Sequence, residues 1–303
     1  MRRLRLALMG TFVSAMVGVS PLGVTAQADG DDPAAATSDA TGEVTILGNL
    51  VYATGSAPDA VDKLALVLHR PAAAREDAPM VIDVGGSDLD FQALADRGVS
   101  VVSNLSFPDR FPEVMQRADP TAVRAMADAE ACAIRLARGS EYGSETAPLL
   151  LTGFSRHGGL ASHVALAGES FDRVWDEYAE SGGGPPAQYD CTVSEGSTRV
   201  EGLVGVAGVY DAMVGYEGLY GRDFLQEHEP DLWEMLWSTV GLHPELRVRL
   251  LHGDADTTPP PENSAAFEAV LAEAGYDVEL VEFAGGHFVP RDLVTAAVME
   301  LAE

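Results

Sequence analysis

Short apolar runs separated by helical patterns constrain the fold of this 303-residue chain more than any other feature. Seven such runs, each rich in Val, Leu or Ile, cover residues 64–69, 80–84, 99–103, 149–152, 202–207, 247–252 and 278–283. Strands that alternate with helices pair side by side as parallel strands, and the helices cover both faces of the sheet. We therefore predict an α/β fold with a mostly parallel central sheet and helices on both faces.

Two of the intervening segments carry clear signals for the start and end of a helix. Asp119 and Pro120 open the first, whose apolar residues recur every three or four positions as far as Gly139. The second runs from about residue 262 to residue 274, and Gly275 ends it. Both patterns predict helices that pack one apolar side on the sheet.

The N-terminal part of the chain reads as a targeting segment followed by a linker. Residues 1–28 have an Arg-rich start, an apolar stretch and a small-residue end, which is typical of a cleaved secretory signal peptide. A retained membrane anchor is the alternative. Residues 29–42 lack large apolar side chains and predict a disordered acidic linker. We expect residues 43–303 to form one domain, secreted to the extracellular space or periplasm.

The charge of the chain restricts its partners. It has 47 acidic and 19 basic residues, a formal charge of −28, and Lys63 is its only lysine. Removal of residues 1–28 takes away three arginines and no acid, which makes the charge −31. A field of that sign repels nucleic acid and anionic lipid and keeps a protein soluble. We therefore expect no nucleic-acid partner, no membrane partner after signal cleavage, and a monomer.

Two cysteines, Cys132 and Cys191, remain in a chain that we expect to meet an oxidising compartment. They can form one disulfide if the fold brings them together, and the sequence does not give that distance. The sequence shows no cluster of His, Cys and carboxylate residues at metal-ligand spacing. We therefore predict no metal site.

The stretch "GFSRHGG", residues 153–159, places Ser155 in a glycine-rich turn directly after a predicted strand. A turn of this kind can hold a serine as an exposed nucleophile, whereas the alternative is an ordinary turn serine. A serine hydroxyl is a poor nucleophile near neutral pH, so it needs a base to take its proton and an acid to orient that base. Ser155 is a candidate nucleophile only if both partners are present.

Both partners occur downstream, each directly after a predicted strand. Asp256 lies in "HGDADTTPPPENS" and is the first candidate for the acid, with Asp254 and Asp211 as alternatives. His287 follows two glycines in "GGH" and is the candidate base. The other histidines that we considered, which we expect to be packing or turn residues, are His69, His157, His163 and His252.

The motifs "DVGGSD", "GFSRHGG", "GVAGVYD", "HGDADTTPPPENS" and "GGH" occur in this order and resemble the α/β-hydrolase family, most closely its secreted esterase and lipase branch. The likeness covers most of residues 44–303. It implies an eight-stranded type of sheet with Ser155 as the nucleophile, Asp256 as the acid and His287 as the base. It also implies hydrolysis of a carboxylic ester without a cofactor.

The same resemblance implies where the oxyanion is held. One donor is the backbone N–H of Arg156, and the other comes from the loop "VGGSD", with Gly86 as the first choice and Ser87 as the next. Val84 stands where the family usually has the histidine of HGGG, so the exact donor is open. His157 replaces the second glycine of GxSxG, which predicts either a looser turn or a side chain that fills a nearby gap.

The residues around Ser155 also look like the GxSRxG turn of glucuronoyl esterases, in which the arginine after the serine helps to hold the oxyanion. The alternative for Arg156 is an ion pair with a carboxylate of this acidic chain.

We therefore expect a serine hydrolase that cleaves small-molecule or polymer-borne carboxylic esters through an acyl-enzyme. The alternatives are a serine peptidase or amidase of the prolyl oligopeptidase type, whose propeller domain this chain lacks, and an inactive binding protein on the same fold.

Overall fold

The computed structural model of this protein describes residues 37–38, 44–56, 63–103, 120–180, 187–211 and 238–303, apart from residues 73, 76, 140, 141 and 144. All of these belong to one unit that spans Ala34–Glu303. The predicted signal peptide and all but two residues of the predicted linker lie outside the described residues.

Ten strands of the described chain form one mixed sheet. They are β1 (Thr37–Ser38), β2 (Val44–Gly55), β3 (Lys63–Pro71), β4 (Met80–Gly85), β5 (Ser100–Ser103), β6 (Leu149–Phe154), β7 (Tyr189–Cys191), β8 (Gly202–Val206), β9 (Arg247–Gly253) and β10 (Asp277–Phe283). The order across the sheet is β1-β2-β3-β5-β4-β6-β8-β9-β10, and β7 pairs with β2. The six strands from β5 to β10 in this order are mutually parallel, whereas the pairs β1–β2, β2–β3, β2–β7 and β3–β5 are antiparallel.

All seven apolar runs lie in strands to within one residue, and the predicted α/β architecture is confirmed. The sheet has ten strands, where the family resemblance implied an eight-stranded type. The additional pairing is at β2, which contacts the two-residue β1 and the three-residue β7 as well as β3. β1 lies inside the segment predicted as a linker. β2 escaped the sequence analysis because Gly48 and Asn49 interrupt it; Asn49 has a φ of 55°, and the pairing with β3 shifts register there.

Helices cover both faces of the sheet. They are α1 (Phe91–Asp96), α2 (Pro120–Arg138), α3 (Arg156–Ala167), α4 (Phe171–Glu180), α5 (Glu262–Glu273) and α6 (Arg291–Ala302). α1 and α6 pack on one face of the sheet and form an apolar core with it. The other four helices, α2, α3, α4 and α5, form a second apolar core on the opposite face. The bounds of α2 and α5 agree with the sequence prediction to within about a residue.

A disulfide joins α2 to the sheet edge. Cys132 of α2 and Cys191 of β7 are bonded; they are 59 positions apart in the sequence, and their Cα atoms are 4.9 Å apart. The pairing that the sequence left open is therefore present. It fixes the short strand β7 against the helix that covers this end of the sheet.

Within the described part of the chain, no helix is both long enough and apolar enough to cross a membrane.

Candidate active site

Four parallel strands direct the candidate residues to one edge of the sheet. Strands β4, β6, β9 and β10 are parallel, so the loops that follow them all emerge at the same edge. These loops carry Gly86, Ser155, Asp256 and His287. Residues that are up to 201 positions apart in the sequence are thereby brought to one edge.

Ser155 occupies a sharp turn between β6 and α3. Its φ of 55° and ψ of −124° lie in a region that residues with a Cβ seldom adopt. Its backbone N–H donates to Val206 at 2.8 Å, and its carbonyl accepts hydrogen bonds from Gly158 at 2.9 Å and Val209 at 3.1 Å. Three backbone hydrogen bonds therefore hold this strained conformation, which is what a turn that presents a reactive side chain requires.

Gly153 and Gly158 make the turn sterically possible. A Cβ on Gly158 would lie 2.9 Å from the carbonyl oxygen of Gly153, and a Cβ on Gly153 would lie 2.6 Å from that of His157. The imidazole of His157 packs against Gly85, where an added Cβ would come within 3.1 Å of Nδ1. The sequence predicted either a looser turn or a side chain that fills a nearby gap. The structure shows the second, because the side chain fills a gap beneath the loop after β4. Burial and the charge of Arg156 lower the pKa of His157 to about 4.

Asp256 and His287 are joined by a hydrogen bond. The Nδ1 of His287 lies 2.7 Å from the Oδ2 of Asp256, whose side chain is only 1% exposed. The other carboxylate oxygen accepts a hydrogen bond from the backbone N–H of Thr258 at 2.8 Å. Because Nδ1 faces a carboxylate, this nitrogen carries the proton and Nε2 is left to accept one.

A second histidine contacts the same carboxylate. The Nε2 of His252 lies 3.2 Å from the Oδ2 of Asp256 and 3.0 Å from the carbonyl oxygen of Pro259. Since both neighbours are acceptors, Nε2 carries the proton, and Nδ1 accepts from the hydroxyl of Ser264 at 2.6 Å. His252 is therefore more than the packing or turn residue that the sequence predicts, and its contact with Asp256 was not predicted. The signal available was its place at the end of β9, four residues before Asp256.

The two loops that carry Asp256 and His287 are bonded to each other. Asp254 donates its backbone N–H to Phe283 at 2.9 Å, and its side chain accepts from the N–H of Gly285 at 3.1 Å. Ala255 donates to the carbonyl of Gly285 at 2.8 Å. Asp254 therefore binds the backbone of the loop that carries His287. Of the three candidate acids, Asp256 is the one hydrogen-bonded to His287 in the described residues.

His287 lies beside the end of the strand that precedes Ser155. Its ring centroid is 4.6 Å from that of Phe154, and its side chain is 26% exposed. Within the described residues, the hydroxyl of Ser155 makes no hydrogen bond to the imidazole. Catalytic hydrogen bonds often tighten only when substrate is bound, so this geometry is compatible with proton transfer from Ser155.

The loop after β4 is organised by Asp83. Its carboxylate accepts a hydrogen bond from the backbone N–H of Gly85 at 3.2 Å. Burial raises the pKa of Asp83, and interactions with the nearby Ser87 and Gly85 partly offset that rise. Thr152 in turn donates to the hydroxyl of Ser87 at 3.1 Å. Gly86, which lies between Gly85 and Ser87, is exposed and has a φ of 72°.

Arg156 is the first residue of α3, and its side chain is buried. The first N–H groups of a helix have no partner within the helix, so they are available to a negatively charged atom. The described residues contain no group of three or more His, Cys, Asp or Glu that could hold a metal ion.

No protein-family model matches the sequence, and a search of curated proteins finds no match. Solved structures do match. An acetyl ester-xyloside bifunctional hydrolase from Caldicellulosiruptor lactoaceticus has a TM-score of 0.55 at 21% identity, with 81% of this chain and 87% of that chain covered. Esterase 2 of Thermogutta terrifontis has a TM-score of 0.53 at 19% identity, with 84% and 91% covered.

A bifunctional GH43-CE protein from Bacteroides eggerthii has a TM-score of 0.53 at 20% identity, and the match covers 82% of this chain. This chain spans 38% of the length of that protein. At such identities the likeness shows a shared fold.

Proposed function

We propose that this chain is a secreted serine hydrolase with the α/β-hydrolase fold and that it cleaves carboxylic esters through an acyl-enzyme. The observation that carries the proposal is the hydrogen bond between His287 and buried Asp256, beside the strained turn of Ser155. An imidazole oriented by a carboxylate and a serine on a tight turn are the parts that acyl transfer needs. The fold shared with solved esterases supports the reaction class.

The first half of the reaction transfers the acyl group to Ser155. The Nε2 of His287 takes the hydroxyl proton while Oγ forms a bond to the ester carbonyl carbon. When the tetrahedral intermediate collapses, the bond from carbon to the alcohol oxygen breaks, and His287 gives its proton to that oxygen. The alcohol leaves, and the acyl group remains on Ser155 as an ester.

The second half releases the acid. Water attacks the acyl carbon, His287 takes a proton from it, and the bond from carbon to the Oγ of Ser155 breaks as the proton returns to Oγ. The carboxylate of Asp256 keeps the imidazole in the required tautomer and stabilises its charged form in both halves.

The negative oxygen of each tetrahedral intermediate is assigned to two backbone donors, the N–H groups of Gly86 and Arg156. Ser87 is the other candidate in the loop, but it is buried and its hydroxyl is hydrogen-bonded to Thr152. Losing one such donor costs about 3 to 4 kcal/mol of transition-state stabilisation. The guanidinium of Arg156 stays a candidate for additional charge stabilisation.

Three features support the proposal that the protein is secreted and binds neither nucleic acid nor membrane. The disulfide between Cys132 and Cys191 is of a kind that persists in oxidising compartments. Residues 1–28 have the pattern of a signal peptide, and the mature chain is strongly acidic. We expect a monomer that acts on small or polymer-borne esters.

Acetylated sugars are among the first substrates to test, because two fold neighbours are described as a carbohydrate esterase and an acetyl ester-xyloside hydrolase.

Steady-state hydrolysis separates the proposal from its alternatives. The purified protein is incubated with p-nitrophenyl acetate, p-nitrophenyl octanoate and a panel of peptide anilides. We expect ester turnover that is abolished in Ser155→Ala and absent with the anilides. Turnover of the anilides above that of the esters would instead identify a peptidase or amidase. No turnover of any compound would leave a binding protein on this fold.

A further inference from the structure

Phe288 is the most exposed large apolar side chain among the described residues, at 75% exposure, and Leu242 at 37% is the other. Phe288 follows the candidate base directly in the sequence. Its ring stacks on Phe154 with 5.8 Å between centroids and 19° between planes, and it lies 5.9 Å from the ring of His287. We name the three rings of Phe154, His287 and Phe288 the aromatic ledge.

The aromatic ledge combines a supported inner part with a free outer face. Phe154 is half-buried behind Gly86, and His287 is held by Asp256, whereas most of the surface of Phe288 faces solvent. Ligand sites are typically lined by aromatic side chains with a few polar groups that fix orientation. An exposed ring that adjoins the reacting groups is therefore placed to contact substrate.

The reaction mechanism determines which part of an ester contacts the ring of Phe288. The imidazole gives its proton to the oxygen of the departing alcohol, so the alcohol must lie beside His287. The carbonyl oxygen points instead to the donors at Gly86 and Arg156. An alcohol beside His287 is within reach of Phe288, because the centroid of its ring lies 5.9 Å from that of the imidazole.

The surroundings of the ledge restrict the kind of alcohol. Arg291, three residues after Phe288, pairs with Asp88 of the loop after β4, and both side chains are more than half exposed. A flat apolar face with a charged pair close to it in the sequence suits a ring that has an apolar face and polar edges. The acidic chain disfavours an alcohol that carries negative charge.

We propose that Phe288 binds the alcohol part of the ester and selects alcohols in which a neutral six-membered ring, either a sugar or an aromatic ring, stacks on its exposed face. This proposal rests on the proposed function, because it requires an alcohol that departs beside His287.

Three acetate esters that form the same acetyl-enzyme test the proposal. They are phenyl acetate, a mono-acetylated methyl xyloside and methyl acetate. Acylation is followed by kcat/KM, and hydrolysis of the common acetyl-enzyme is followed in single-turnover experiments. We expect Phe288→Ala to lower kcat/KM about tenfold for the ring esters, as loss of an aromatic stacking contact predicts. The kcat/KM for methyl acetate and the rate at which the acetyl-enzyme is hydrolysed should be unchanged.

Two further variants separate stacking from bulk. Phe288→Tyr keeps the flat ring and should retain the preference, while Phe288→Leu keeps apolar bulk without the ring and should lose most of it. Leu242→Ala is the matched control, since Leu242 adjoins His243, which contacts Ala165 near the far end of α3 from Ser155. It should leave all three esters unaffected. Thermal unfolding of each variant verifies that folding is intact.

A lower kcat/KM of Phe288→Ala with either ring ester supports the proposal. The ester that is affected identifies the preferred ring as a sugar, an aromatic ring or both. An equal loss with all three esters, a loss in hydrolysis of the acetyl-enzyme, or no loss in Phe288→Ala would overturn it. Wild-type protein that forms no acetyl-enzyme from any ester would contradict the proposed function itself.

Discussion

Gly253 lies so close to Gly286 that a Cβ on Gly253 would come within 2.2 Å of the carbonyl oxygen of Gly286. Gly253 ends β9, three residues before Asp256, and Gly286 directly precedes His287. The absence of a side chain at Gly253 therefore allows the loop of the acid to reach the loop of the base. Real Cβ atoms essentially never approach backbone oxygen so closely, so any larger residue must separate the loops.

Gly253→Ala should lower kcat about 100-fold or more, because a displacement of about 1 Å in a catalytic group can cost that much. Gly286→Ala is the matched control, since a Cβ there meets no atom within 4 Å. Assays of ester hydrolysis and circular dichroism of both variants test the idea. Equal activity in Gly253→Ala and Gly286→Ala would show that the close approach is not needed.

The assignment of the acid is tested by three isosteric changes. Asp256→Asn should lower kcat about 10³- to 10⁴-fold, because an amide cannot hold the imidazole in the required tautomer. Asp254→Asn and Asp211→Asn should have far smaller effects, since neither side chain is hydrogen-bonded to His287 in the described residues. If Asp211→Asn were the most damaging of the three, the acid would have to be reassigned.

Asp83 is predicted to act as a positioning residue for the loop that carries Gly86. Asp83→Ala removes the acceptor of the N–H of Gly85, so we expect the N–H of the adjoining Gly86 to lose its fixed direction. We expect kcat to fall about 10²-fold with little change in KM, because an oxyanion donor acts in the transition state. Asp83→Asn keeps one acceptor oxygen and should restore part of the activity.

The control for Asp83 is its neighbour Asp88, which is exposed and pairs with Arg291 at the surface. Asp88→Asn should keep nearly full activity, since exposed ion pairs contribute little and asparagine tolerates a positive φ. A rise in KM without loss of kcat in Asp83→Ala would argue for a role in substrate binding instead.

His163 should make stability depend on pH. Burial and the charge of Arg124 lower its pKa to about 4, and neither ring nitrogen has a hydrogen-bond partner within the described chain. Because the folded protein resists protonating this ring, its contribution to stability is complete above about pH 6.5 and is lost as the pH falls towards 4.

The measurement compares the wild type with His163→Phe, which fills the same place against Trp175 and takes up no proton. From pH 7 to pH 4 the wild type should lose about 3 kcal/mol of unfolding free energy relative to the variant. Other titrating groups, such as Asp128, are common to both proteins and cancel in the difference. Urea unfolding at the two pH values gives the result, and a pH-independent difference would contradict it.

The sequence predicted the regular part of the fold because apolar periodicity is a local property. The runs that became β3 to β6 and β8 to β10, and the helix that begins at Pro120, were all visible from residue type and spacing. β2 was not, since Gly48 and Asn49 break its pattern and its pairing partners supply the missing constraint. The pairing of Cys132 with Cys191 likewise depends on a distance that only the folded chain defines.

The candidate site divides in the same way. Ser155, Asp256 and His287 could be proposed because each follows a predicted strand in a recognisable motif. The contact of His252 with Asp256 and the hydrogen bond from Gly85 to Asp83 could not be derived from spacing. They arise from loop conformations, and side-chain direction in a loop has no sequence period.

Covalent labelling with a fluorophosphonate probe tests the central claim most directly, because the reagent reacts with a serine only when a base activates it. Mass spectrometry of the digested protein should locate one adduct, on the peptide that contains Ser155. Labelling should be absent in Ser155→Ala and much slower in His287→Ala. An adduct on another residue, equal labelling in His287→Ala, or no adduct at all would contradict Ser155 as a nucleophile activated by His287.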